Sequence, residues 1–151
     1  MPLGLNRLKR LERIRKLAAA QDELELALAA SALRQAEQSL AEQAKWAAAS
    51  RSSGRAALAA GERGAWLLAE ASGEVAGWNA TRLEVLRAEL RKLLQPIRER
   101  YLRSHREQEQ MVLLVESGQA AARQEDARKD QSAADDWFSR RVIAAIRRPP
   151  G

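Results

Sequence analysis

The chain has no cysteine, and only one histidine, one phenylalanine and one tyrosine among 151 residues. Without thiols there is neither a disulfide framework nor a thiolate metal site. The one histidine, His105, stands between Ser104 and Arg106 in a strongly basic stretch. A lone histidine in such a stretch reads as a solvated helix residue rather than a catalytic base. Asp135 and Asp136 are adjacent, so on a helix their side chains diverge by about 100° rather than converging on a metal. No glycine-rich phosphate loop ending in Lys-Ser or Lys-Thr is present. These gaps read as a protein that is not an enzyme, with no metal, no cofactor and no small-molecule substrate. Also missing is any apolar run near the ~18–20 residues that span a bilayer. The basic N-terminus lacks an uncharged hydrophobic segment, since Asp22, Glu23 and Glu25 interrupt it, and those acids argue against a transit peptide. The expected location is the cytoplasm.

What the chain does contain is helix former. There are 31 alanines, and charged residues make up 30% of the chain. Ala, Leu, Glu, Arg and Gln lose little rotamer freedom in a helix, while alanine has almost nothing to bury, so a thick core is excluded. The expected fold is all-α: an elongated two-helix antiparallel coiled-coil hairpin, forming a single unit over 1–151. Leu26, Leu33, Leu40 and Ala47 repeat every seven residues and predict a first long helix over 5–49. Leu83, Leu90, Ile97, Ser104 and Met111 predict a second over 81–146, with a kink or break near Pro96 and Gly118. Between them, Gly54, Gly61, Gly64, Gly73 and Gly77 mark 50–80 as a Gly/Ala-rich tip, because each glycine within a helix costs about 1 kcal/mol relative to alanine. Residues 147–151, with Pro149 and Pro150, form a tail.

The net charge is +6, a balance that draws nucleic acid, anionic membrane or acidic protein surfaces. Basic residues cluster at the N-terminus, where Arg10, Arg13 and Lys16 are candidate contacts, and again near the C-terminus, at Arg140 and Arg141. An antiparallel hairpin would bring those two clusters to one end. Glu12–Lys16, Glu99–Arg103, Glu125–Lys129 and Asp136–Arg140 have i,i+4 spacing and offer part of this charge a local partner. Nucleic acid is the weaker partner class, because base stacking needs aromatics within the basic surface. Trp46, Trp66 and Trp78 instead lie around the tip. They either pack together to close the tip or form an exposed hot spot for a partner.

The segment Arg128-Lys129-Asp130-Gln131, three residues, then Asp135-Asp136-Trp137-Phe138-Ser139-Arg140-Arg141 is unlike a plain solvent-facing helix. It resembles the C-terminal signature of the FliJ family, small coiled-coil proteins of the flagellar type III export apparatus. Asp136 stands where that family has Glu, and Trp137 where it has Phe. The N-terminal run Leu5 to Ala18 is also similar, and injectisome stalk proteins of the YscO type are more distant relatives. The resemblance implies a non-enzymatic stalk and escort component of flagellum biogenesis and motility, peripheral at the cytoplasmic face of the inner membrane. Its implied partners are the export ATPase ring and its regulator, the export gate membrane protein and export chaperones. Carried onto this chain, the ATPase contact comprises Arg10, Arg13, Lys16, Arg128, Asp130, Gln131, Asp135, Asp136, Trp137, Phe138, Arg140 and Arg141. The alternatives are a basic coiled coil that binds nucleic acid and a generic scaffold.

Overall fold

The computed structural model describes residues 2–148, with side chains from residue 4 onward. Two α-helices account for nearly all of it: α1 (Pro2–Ala59) and α2 (Arg63–Arg147). Among the described residues there is no strand, and the all-α reading holds. Contacts fall into two compact units, Ala19–Ser104 and Met1–Ala18 with His105–Gly151. Each unit is a pair of antiparallel segments, one from each helix.

The turn of the Ala19–Ser104 unit is far shorter than the 50–80 tip expected from glycine content. Helix continues to Ala59 and resumes at Arg63. Among the described residues Gly61 alone adopts a left-handed conformation, with φ of 77°, which a residue bearing Cβ resists. There the Glu62 amide donates to the Ala57 carbonyl at 2.9 Å and the Gly61 amide to Leu58 at 3.2 Å. That pair of bonds is a Schellman cap, which satisfies the last carbonyls of α1. The other tip glycines stay helical, Gly54 and Gly73 against the facing helix and Gly64 and Gly77 with nothing within 4 Å of an added Cβ. A Cβ at Gly54 would stand 3.4 Å from Ala69 Cβ and 3.8 Å from Trp66 Cδ1, so the missing side chain lets the helices approach.

This unit is held by small side chains. Ala36, Ala57, Ala69, Ala76 and Leu94 are its buried apolar residues, with Ala19 at its far end. Each buried alanine removes only about one methyl from water, worth ~0.8 kcal/mol. Polar bridges between the helices set the register. Arg91 Nη2 donates to Glu37 Oε1 at 3.2 Å and Arg100 Nη1 to Glu25 Oε2 at 2.9 Å, while the Ser104 hydroxyl donates to the Asp22 carboxylate. Pro96 does not break α2. It lies on the exposed side, where water can take the carbonyl that its missing N–H leaves free.

In the other unit, Val115 is buried and Arg15 Nη1 donates to Glu107 Oε2 at 2.6 Å. Gly118 is not a break either. A Cβ there would meet Leu5 Cδ1 at 3.2 Å and Leu8 Cδ1 at 3.5 Å, so the glycine is a packing niche. Ion pairs at the four i,i+4 spacings named above do not form among the described residues. The one i,i+4 pair is His105 Nε2 with Glu109 Oε1 at 3.1 Å, and the other three cross between helices. The α2 helix ends at Arg147. Pro149, Pro150 and Gly151, the expected end of any helix, lie outside the described residues.

Candidate functional site: the exposed end of the second helix

Within the unit that joins the start of α1 to the last part of α2, pairing stops partway along α2. Gln108, Met111, Val115, Gly118 and Ala122 step by three and four residues and are half-buried or buried, the spacing of a seam against a second helix. Continued at the same spacing, the row becomes Glu125, Lys129, Ser132, Asp136 and Ser139. Three of these five would place a charge on an apolar seam and the two serines would offer it only a hydroxyl, so none would bury appreciable apolar area. Every described residue from 123 to 148 is exposed. Glu125 and Lys129 still border a hollow with Leu5 and Leu8 of α1; beyond them, the helix is an extension with no second helix on it among the described residues.

That extension carries the unusual motif. Trp137 and Phe138 follow Asp136 by one and two residues, so they lie roughly 100° and 200° round the helix from the seam row. Both point away from the face that pairs with α1. Trp137 is 58% exposed and Phe138 65%, and Val142, Ile143 and Ile146 are exposed as well. An exposed aromatic pair of this kind is normal for a binding anchor and rare in a helix that only contacts water.

The motif is ordered internally. The Arg141 guanidinium lies over the Trp137 ring, 4.7 Å from its centroid, a cation–π contact worth about 0.5–1 kcal/mol at an exposed site. Gln131 Nε2 donates to Asp135 Oδ1 at 3.1 Å. Both contacts span one helical turn, so they stiffen the side chains without help from elsewhere in the fold. Arg128, Asp130, Asp136 and Arg140 are exposed and make no ion pair among the described residues.

The expected meeting of the two basic clusters does not occur. Lys9, Arg13 and Lys16 border a hollow with Val115 and Gln119, and Arg10 is exposed on the same stretch of α1. Trp137 is eighteen residues past Gln119, on the order of 25 Å along a helix. The candidate residues therefore divide into two patches, one at 10–16 and one at 128–141. The reason is register: Leu5 packs at Gly118, and the first described side chains of α1 border α2 only as far as Lys129, short of Trp137 and Phe138.

The tip tryptophans do not form one closed cluster. Trp66 is half-buried and approaches Gly54. Trp46 and Trp78 are each 62% exposed, and Trp46 lines an open groove with Ser53, Leu68 and Ser72. Sequence reasoning missed this groove, whose signal is a second three-and-four spacing of uncharged residues one position before the pairing seam.

No helix of the described residues is long and apolar enough to cross a membrane. No family model matches the chain, and neither a curated protein nor a solved structure matches it.

Proposed function

We propose that this chain is a non-enzymatic stalk and escort component of a flagellar type III export apparatus, and that the exposed end of α2 is the part that engages the export ATPase ring. The reading rests on the similarity of the terminal segment to the FliJ signature. The observation that carries it further is that Trp137 and Phe138 stand exposed on a stretch of helix that no other described residue covers. A helix of this kind can enter a pore without first unpacking from its own fold. Asp135 and Asp136 precede the aromatic pair, and Arg140, Arg141, Arg147 and Arg148 follow it, so the end of the helix is positive and steers association with an acidic-lined opening. Burying Trp137 and Phe138 there would contribute about 2–3 kcal/mol each.

On this account the patch at Arg10, Arg13 and Lys16 is a second, separate contact, reached after the terminal helix has entered. The regulator of the ATPase, the export gate membrane protein and export chaperones are the further partners of the same reading, and the gate would hold the protein peripherally at the inner membrane. A pull-down with the cognate export ATPase, together with ATP hydrolysis measured with and without the chain, tests the proposal. Binding with a raised hydrolysis rate is expected; neither binding nor a change in rate would sink it.

A further inference from the structure

Close to the turn, both helices of the Ala19–Ser104 unit carry a second row beside the one that pairs them. On α1 the pairing residues Ala47, Ser50, Gly54 and Ala57 are half-buried or buried. One position before each stand Trp46, Ala49, Ser53 and Ala56, and Ala60 continues the row. On α2 the pairing residues are Trp66, Ala69, Gly73 and Ala76. One position before each stand Ala65, Leu68, Ser72 and Val75, and Asn79 continues that row. A one-residue step turns about 100° round a helix, and both rows open on the same side, since together they line a continuous groove. Its larger part has a volume of about 770 Å³.

None of these ten positions carries a charge, in a chain that is 30% charged. Three of them are large and open to solvent: Trp46, Leu68 at 71% exposure and Val75. Uncharged positions spaced three and four apart form a seam for helices, and this seam is empty on two neighbouring helices at once. The opposite side of the same hairpin has the ordinary charged lining, with Arg51, Glu70 and Glu74.

We infer that this groove pairs face to face with the same groove of a second copy of the chain, giving an antiparallel four-helix bundle about a two-fold axis near Ser53 and Ser72. Shape and charge both select that occupant. Ser53 is the midpoint of the α1 row and Ser72 of the α2 row. Reflecting each row about its midpoint places the bulky Trp46 of one copy over the small Ala60 of the other, and Leu68 beside Val75. It also places Glu62, which borders the groove at the turn, opposite Arg82, since both are ten residues from Ser72. Neither Glu62 nor Arg82 has an ion-pair partner within the chain among the described residues. The two-fold forms that pair twice, whereas stacking with both turns at one end would set Glu62 against Glu62. This association uses the turn end of the chain and does not depend on the ATPase reading.

The absence of cysteine from the chain makes the test direct. Single-cysteine variants Ser53→Cys, Ala60→Cys and Arg51→Cys of the full chain are oxidised, and the mass of the unmodified chain is measured by light scattering across micromolar concentrations. The expected results are a dimer mass and a disulfide-linked dimer from Ser53→Cys, with no linkage from Ala60→Cys or from Arg51→Cys on the opposite side. Leu68→Asp, at an already exposed site, should keep the helical circular dichroism and weaken dimerisation at least about tenfold. A monomer at every concentration would overturn the inference and leave the groove to a helix of another protein. Linkage through Ala60→Cys or Arg51→Cys, or a dimer indifferent to Leu68→Asp, would overturn it as well.

Discussion

Leu5 occupies the space that a side chain at Gly118 would need: a Cβ there would stand 3.2 Å from Leu5 Cδ1. This contact lies one step before Ala122, the last half-buried residue of the seam, after which the exposed extension of α2 begins. A methyl at 118 asks only the flexible end of Leu5 to shift, and it gains the helix propensity that glycine lacks. Gly118→Ala should therefore change stability by less than about 1 kcal/mol. Gly118→Leu would overfill the niche between Leu5 and Leu8 and cost about 1–3 kcal/mol. Hydrogen exchange of the amides of residues 5–18 checks both, with faster exchange expected only in the leucine variant.

Glycines near the turn should respond in opposite directions. At Gly61, φ of 77° holds the cap, so Gly61→Ala should destabilise by about 1–2 kcal/mol. Gly64 is helical with nothing within 4 Å of an added Cβ, so Gly64→Ala should stabilise by up to about 1 kcal/mol. Urea denaturation of the two variants beside the parent chain measures the contrast. Equal shifts of the same sign would contradict the cap.

The bridge between Arg15 and Glu107, 2.6 Å long, has side chains 47% and 37% exposed. Exposed pairs contribute about 0–1 kcal/mol and are screened by salt. Glu107→Gln should lower the melting temperature by no more than a few degrees at low salt, and by less at high salt. A large, salt-independent loss would mean that this bridge does more than fix register.

Much of the fold was legible because it follows from patterns that repeat. Helix formers, heptad leucines and the lack of any sizeable core specify two long antiparallel helices. The position of the turn was not legible, since five glycines compete for it and the choice depends on tertiary contact. Gly54 packs against Ala69 and Trp66 on the facing helix, and among the described residues only Gly61 takes the left-handed φ that reverses the chain. Pro96 does not interrupt α2, because water can reach the carbonyl that its missing N–H leaves free. The terminal motif stood out by composition, yet its separation from Arg10, Arg13 and Lys16 follows from register. That register is set by contacts such as Leu5 at Gly118, which no single segment reveals.

The measurement that bears most directly on the central claim compares the parent chain with the double variant Trp137→Ala, Phe138→Ala. Affinity for the export ATPase ring is read by calorimetry and thermal unfolding by circular dichroism. If the exposed end of α2 is the anchor, affinity should fall by at least about a hundredfold, equivalent to about 2.7 kcal/mol, while the melting temperature stays within a degree or two. Unchanged affinity together with a lowered melting temperature would contradict the account, and would assign the aromatic pair to the stability of the protein itself.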